Sequence, residues 1–394
     1  MKWETVQISE FCKTGTGGTP SRSNMERYYE GGTIPWVKSG ELRENIITDT
    51  GEHVTEAALK ETSIKLVPAG ALLLALYGAT VGRLGILGVE ATTNQAVCHI
   101  IPDPQKANVR YLFHALSNQV SNLVARGVGG AQPNISQGIV KELGLMLPPL
   151  AEQKRIAAIL DAADALRAKR REALAQLDAL LQSTFLTLFG DPVSNPMGWA
   201  NDSLTKHGSF KNGLNYGKSE NGIEVTCLGV GNFGSRSRID DVSKLPTLSL
   251  NSMPPKEYLL KEGDIVFVRS NGNKALVGRC LSIHPNDTPV TFGGFCIRYR
   301  IEDPQLVATF LTHLFRTASM KSCMLQGGQG ANIQNINQKI LGDLAIPLPP
   351  LPRQQKFAAI VESIERQKDI QRTHLAELDA LFAALQHRAF RGEL

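Results

Sequence analysis

Two stretches of the chain carry long helical periodicity. In residues 348–394 the apolar positions Phe357, Val361, Ile364, Leu375, Leu378, Phe382, Leu385 and Ala389 fall on an alternating four-three spacing, broken at Lys368 and Gln371. Residues 147–190 repeat it with Ile156, Leu160, Ala163, Leu174, Leu177, Leu181 and Leu188, broken at Arg167 and Arg170. Such a seam is the stripe through which helices pair in a coiled coil. Pro148 and Pro149, like Pro349 and Pro350, stop helix upstream, and Gly190 and Gly392 end the two runs. At a rise of 1.5 Å per residue each helix is about 55–60 Å long. A globular part of about 150 residues cannot cover so long a seam, so the pattern predicts that the helices pair with each other. The first helix leads directly into the second globular part, which makes the predicted pair antiparallel, with one globular part at each end. The polar interruptions then meet near the middle, where they either set the register or are solvated.

The shared interruptions reflect a duplication. Residues 147–160, LPPLAEQKRIAAIL, match residues 348–361, LPPLPRQQKFAAIV, at a displacement of 201 that holds from Asn134 against Asn335 to Phe189 against Phe390. Upstream the match is weaker but ordered: Trp3 answers Trp199, and YLFHALSNQ answers FLTHLFRTA. Outside the helices the apolar runs are short and punctuated by Gly, Pro and Asn, as strands are. They include ALLLALYG, GRLGILGV and AVCHII in the first half and IEVTCLG, DIVFVRS and FCIRYRI in the second, each set closed by a helix near 108–125 or 304–325. The expected fold is therefore mixed α/β: two repeated globular domains separated by two long helices in an antiparallel coiled coil, with pseudo-twofold symmetry. The expected boundaries are 1–146 and 191–346 for the domains, and 147–190 and 347–394 for the helices.

A hydrophobic fraction of 42% and a charged fraction of 20% over 394 residues exclude a disordered or collagen-like chain. Six cysteines without a CxxC pair argue against a zinc ribbon or a secreted disulfide framework. With no apolar leader in MKWETVQISE, the expected location is the cytoplasm. Residues 66–82 are uncharged, but Pro68, Gly70, Gly78 and Gly82 cut them into strand-length pieces, which argues against a membrane span.

The motifs that resemble catalytic sites fail on context. GVGNFG at 229–234 fits G-x-G-x-x-G, yet no periodic helix follows to bring its amides to a pyrophosphate, so a loop beside a strand is expected. GLNYGKS at 213–219 misses a Walker A loop by one residue. The chain has no GxSxG elbow and no HExxH, and His114 and His313 occupy equivalent repeat positions, where a structural role is expected. The chain reads as non-catalytic and metal-free.

Charge divides unevenly. Residues 1–150 are neutral, and residues 198–346 carry +4 of the chain's net +5. Nucleic-acid binding is permitted by this balance rather than demanded.

The doubled LPPL-x-x-Q, the AAIL and AAIV helices, the LDALL and LDALF seams, GATVGR at 78–83 and TTNQAV at 92–97 resemble the specificity subunit of type I restriction-modification enzymes. The resemblance spans the whole chain and implies that the two globular parts are target recognition domains. It implies binding of double-stranded DNA at a bipartite, asymmetric site, one half per domain, with the helices as ruler. It further implies a scaffold for two modification (methyltransferase) subunits and two restriction (motor-nuclease) subunits. No cofactor is expected on this chain: S-adenosylmethionine belongs to the modification partner, and ATP and Mg to the motor-nuclease partner.

Base edges are read by Arg, Lys, Asn and Gln. The candidate DNA-binding residues are Lys38, Arg43, Tyr77, Arg83, Asn94 and Gln95 in the first half, and Asn232, Arg236, Arg238, Arg269, Asn271, Asn273 and Lys274 in the second. The competing reading is a bivalent protein-binding scaffold with a coiled-coil spacer and no DNA. In the units themselves SNGNKALVGR and TFGGFCI depart from GATVGR and TTNQAV, so the two domains are expected to read different sequences.

Overall fold

The computed structural model describes residues 3–127, 134–217, 220–234, 236–326 and 335–394. The chain forms two compact units, residues 1–171 with 374–394, and residues 172–373.

In the first unit ten strands are described: β1 (Thr5–Gln7), β2 (Cys12–Thr16), β3 (Ile34–Val37), β4 (Asn45–Ile47), β5 (His53–Val54), β6 (Leu72–Ala75), β7 (Leu84–Leu87), β8 (Thr92–Thr93), β9 (Val97–Pro102) and β10 (Gly144–Met146). They form a five-stranded sheet of order β2-β9-β6-β7-β4, a three-stranded sheet of order β5-β3-β8, and the pair β1-β10. The central strand β6 explains the uncharged stretch at 66–82. Leu72 and Leu74 point into a core shared with the helix Val109–Arg126, and Leu73 and Ala75 into a second core with Val37, Leu42 and Val97. A strand buried on both faces is apolar throughout instead of alternating. Among the described residues no helix is long and apolar enough to cross a membrane.

The second unit repeats the topology. Its strands are β11 (Asn201–Ser203), β12 (Gly208–Asn212), β13 (Ile223–Leu228), β14 (Arg238–Ile239), β15 (Thr247–Leu250), β16 (Asp264–Val268), β17 (Cys280–Ile283), β18 (Val290–Phe292), β19 (Cys296–Ile301) and β20 (Ala345–Pro347). The sheets are β12-β19-β16-β17-β14, β15-β13-β18 and β11-β20, the same orders position for position. Where one helix was expected near 304–325, the chain makes two, Ala308–Arg316 and Ala318–Gln326, because Thr317 is extended (φ −63°, ψ 148°).

The long helices are Leu150–Phe189 and Leu351–Ala389. Pro352 sits in the first turn of the second, where its missing N–H has no intrahelical partner to lose. In the first unit Ile156 and Leu160, from the start of one helix, share a core with Phe382, Leu385 and Ala389 from the end of the other. In the second unit Leu177, Leu181, Phe185 and Phe189 meet Phe357, Val361 and Ile364, with Phe185 and Phe189 each 5.5 Å from Phe357 between ring centroids. The pair is antiparallel. Its ends double as domain core, more than a pure helix-to-helix seam requires, while the mid-seam residues Leu174, Leu375 and Leu378 are half-buried.

The basic interruptions set the register. In the first unit Arg167 Nε lies 2.6 Å from Asp379, with its guanidinium 4.3 Å from the Phe382 ring centroid. In the second, Lys368 Nζ, on a side chain 3% exposed, lies 2.8 Å from Asp178 and 2.6 Å from Glu365. Arg167 and Lys368 are repeat equivalents, as are Asp178 and Asp379, so each unit carries one copy of the same cross-helix ion pair.

The glutamine of LPPL-x-x-Q has an equally local reason. Buried Gln153 accepts the Asn108 amide (2.8 Å) and donates to the carbonyls of Lys106 (2.9 Å) and Pro148 (2.8 Å). Gln354 does the same with Val307 (2.9 Å), Gln305 (3.0 Å) and Pro349 (2.9 Å). One buried side chain thus ties the start of each long helix to the loop that opens the domain's own helix, satisfying backbone groups of both and its own amide in one place.

Candidate nucleic-acid interface

The antiparallel pairing of β2, β9, β6 and β7 brings several loops to one end of the five-stranded sheet in the first unit. Residues 76–83 join β6 to β7, and residues 94–96 join β8 to β9. They are tied together by backbone bonds from Leu76 N–H to the Ala96 carbonyl (2.8 Å) and from Gly18 N–H to Thr93 (2.9 Å). Gly17 must be glycine, since a Cβ there would stand 1.8 Å from the Thr93 carbonyl oxygen.

Asn94 donates its amide to Val37 (2.9 Å), which sets it beside Lys38, and its side-chain oxygen accepts the Ala96 N–H (3.2 Å). Gln95 is exposed and accepts the Thr19 hydroxyl. Half-buried Tyr77 packs on the core edge. Lys38, Tyr77, Asn94 and Gln95 therefore share one end of the sheet. The Lys38 ammonium lies 2.6 Å from Glu52, which also holds Arg22 at 2.6 Å. The hydrogen bonds from Lys38 and then Arg22 keep the Glu52 carboxyl below its ordinary range. Arg22 in turn stacks over Tyr29 at 4.4 Å. Arg43 and Arg83 are exposed at the sheet's β7-β4 edge, where the Glu44 amide bonds Leu84 (2.9 Å).

The same end of the second unit is built from residues 213–217, 269–279 and 293–295. The Arg269 amide donates to Phe295 (2.8 Å), its carbonyl accepts from Ile336 (3.0 Å), and Ser270 bridges to Asn335. Asn271 accepts the Asn273 N–H (2.8 Å) and Asn273 that of Ala275 (3.0 Å), a double Asx turn that holds Lys274 exposed. Asn232 closes the turn after β13 by accepting the Gly229 amide (2.9 Å), so GVGNFG is a capped single turn that leads, among the described residues, to strand β14 and not to a helix. Arg269, Asn271, Asn273 and Lys274 form one group. Arg236 and Arg238 lie to its side, on the segment that enters β14 along β17. Arg238 on β14 is paired with Asp240 and feels Glu362 and Glu365 of the second long helix, all of which raise its pKa, the hydrogen bond to Asp240 most. The Arg236 carbonyl accepts Arg316 at 3.0 Å.

The paired GR dipeptides diverge. Arg279 braces its loop through the carbonyls of Ala275 (3.2 Å) and Gly234 (2.7 Å), whereas Arg83 is exposed. The seam candidates Ile156, Leu160, Leu181, Phe357 and Val361 are buried, and Leu174, Leu177, Leu375, Leu378 and Phe382 half-buried. The repeat histidines differ in partner. His114 Nε2 lies 2.6 Å from Asp161, while His313 Nε2 is buried without a hydrogen-bond partner among the described residues, and burial drives its pKa down to about 3. Sequence reasoning passed over Arg22, Tyr216 and Phe295. The signal for Phe295 was present, since it stands where the first unit has Ala96.

Residues 1–176 and 238–380 match the sequence profile of the family described as type I restriction modification DNA specificity domain. The chain belongs to that family. Among relatives, the StySPI specificity subunit of Salmonella potsdam is 24% identical over 100% of this chain and 89% of its own length. The MjaVIII specificity subunit of Methanocaldococcus jannaschii is 25% identical over 100% and 93%. A type I specificity subunit of Escherichia coli is 27% identical over 47% of this chain and 46% of that relative. The fold agrees with the crystal structure of a type I S subunit from M. genitalium (TM-score 0.58, 16% identity, 99% of this chain and 96% of that one). It agrees equally with a chain from a structural study of complex assembly in the type I system (TM-score 0.58, 18% identity, 100% and 98%). This specificity subunit is a non-catalytic DNA-recognition chain of a restriction-modification complex.

Proposed function

We propose that this specificity subunit binds a bipartite, asymmetric double-stranded DNA site, with residues 1–146 reading one half and residues 191–346 the other. The helices within 147–190 and 347–394 act as the ruler. Two half-sites on one DNA face are about 34–36 Å apart per helical turn, a span that a helix pair of about 55–60 Å can hold with length left for partner docking. Two modification subunits carrying S-adenosylmethionine dock on the helices and methylate adenine, and two motor-nuclease subunits using ATP and Mg join them, in the cytoplasm. The modification subunits supply part of the phosphate contact, in keeping with a first half of zero net charge.

The observation that carries this reading is the common sheet end. Two units of identical strand order present different polar sets there: Lys38, Tyr77, Asn94 and Gln95 in one, Arg269, Asn271, Asn273 and Lys274 in the other. An unchanged frame with changed loop chemistry suits two readers of different sequences. Arg43, Arg83, Asn232, Arg236 and Arg238 flank these groups as phosphate or sugar contacts. Methylation mapping in cells that express the chain with its modification partner tests the assignment. Gln95→Ala together with Asn94→Ala should relax one half-site and leave the other intact. Relaxation of both halves, or of neither, would refute it.

A further inference from the structure

Phe295 is 68% exposed, an uncommon state for a phenylalanine, and its backbone is firmly held. Its carbonyl accepts Arg269 N–H (2.8 Å), and Cys296 N–H returns to Gly293 (2.9 Å). Gly293 N–H bonds Leu228 (3.1 Å), and Gly213 N–H bonds Cys296 (3.0 Å). Gly294 packs so closely that a Cβ would lie 1.9 Å from the Asn215 side-chain oxygen. A ring left in water on a backbone this constrained can meet a ligand with little ordering cost. Arg269, whose N–H the Phe295 carbonyl accepts, opens the Asx loop that carries exposed Lys274, and Tyr216, 48% exposed, follows the Asn215 whose side chain lies against Gly294. An exposed aromatic ring between a segment that carries Arg269 and Lys274 and one that carries Asn215 and Tyr216 suits the stacked bases and phosphates of DNA.

The first unit is built otherwise at the same place. There the sequence is Asn94, Gln95, Ala96, with Ala96 only 6% exposed and Gln95 accepting Thr19. Two glycines and a phenylalanine replace two amides and an alanine on one frame, since Val97 begins β9 as Cys296 begins β19.

We propose that Phe295 is a stacking wedge for the second half-site. Its ring packs against a base-pair step of the bound duplex, so the second unit reads the ease with which that step unstacks, where the first reads base edges through amides. The inference rests on the DNA-binding reading above.

The test uses the full chain assembled with its modification partner and a cognate duplex. 2-Aminopurine replaces single adenines of the second half-site other than the methylated one. Phe295→Ala is expected to weaken binding roughly 10- to 100-fold and to abolish the fluorescence rise at one position, while Phe295→Trp stays within a few-fold of the native chain. Ile223→Ala, an exposed apolar change at the far end of β13, should leave both readouts unchanged. Native-like affinity and fluorescence in Phe295→Ala would overturn the wedge with DNA binding intact. Absence of duplex binding by the native assembly would overturn the DNA reading itself. Loss of assembly with the modification partner in the absence of DNA would assign the ring to a protein interface and also overturn the proposal.

Discussion

Replacing Gln153 tests whether the glutamine of the repeated motif holds helix to domain. Gln153→Leu keeps roughly the volume but removes all three bonds, to the Asn108 amide and to the Lys106 and Pro148 carbonyls, at a fully buried site. Two of the three bonds are part-buried, so each backbone group left unpaired costs about 1–2 kcal/mol, and the gain from burying leucine offsets about 1–2 kcal/mol, for an expected net loss of about 2–4 kcal/mol. In a unit of this size that lowers the melting temperature by about 5–15 °C. Gln153→Glu sharpens the test. Its carboxylate can still accept the Asn108 amide but would face two carbonyl oxygens with no proton to give, which raises its native pKa above the unfolded value. The native state then binds more protons than the unfolded state, so the deficit should be small at pH 4 and grow as pH rises through the native pKa. Hydrogen exchange read on peptides spanning 106–112 and 305–311 separates local from global effects. Gln153 variants should deprotect the first peptide and Gln354→Leu the second. A change below about 0.5 kcal/mol in Gln153→Leu, or a pH-independent deficit in Gln153→Glu, would refute the role assigned to the glutamine.

Lys368→Met should destabilise the second unit by about 2 kcal/mol, because it removes the nearest cation of Glu365 and leaves that carboxylate only Arg372 and the Ser237 hydroxyl, each at 3.4 Å, whereas Arg167→Met, at the more exposed copy of the pair, should cost less than about 1 kcal/mol; equal losses in denaturant titrations would contradict the register argument. His313 is neutral when folded, with a pKa depressed by burial to about 3. The unfolded state therefore gains a proton first, and stability should fall by up to about 1.4 kcal/mol per pH unit as pH drops below about 6.5. His313→Phe should flatten that slope, and an unchanged slope in calorimetry at several pH values would count against it. Four residues inserted between Arg167 and Asp178 lengthen the first helix by about 6 Å and should move methylation to the same half-sites separated by a longer spacer; an unchanged spacer with intact activity would show that the helices are not the ruler.

The duplication, the two long helices and their antiparallel pairing were legible in linear order, because a heptad seam and its breakers are local signals and the repeat places them twice. The strands ALLLALYG and DIVFVRS were legible as apolar runs between turn residues, although short edge strands such as β5 and β14, at two residues each, leave no such trace. Folding decided the rest. That Lys38 and Asn94 are neighbours follows from the parallel pairing of β3 with β8, a contact between positions far apart in the chain. The choice between a register-setting and a solvated Lys368 depended on Asp178 arriving from the other helix at 2.8 Å. Arg83 and Arg279 look alike in sequence, yet one is exposed and the other braces a loop, because only the second meets the carbonyl of Gly234. Sequence spacing specifies which faces must be buried, while the long-range pairing of strands selects which loops share an end of the sheet, and with them which side chains can meet a ligand together.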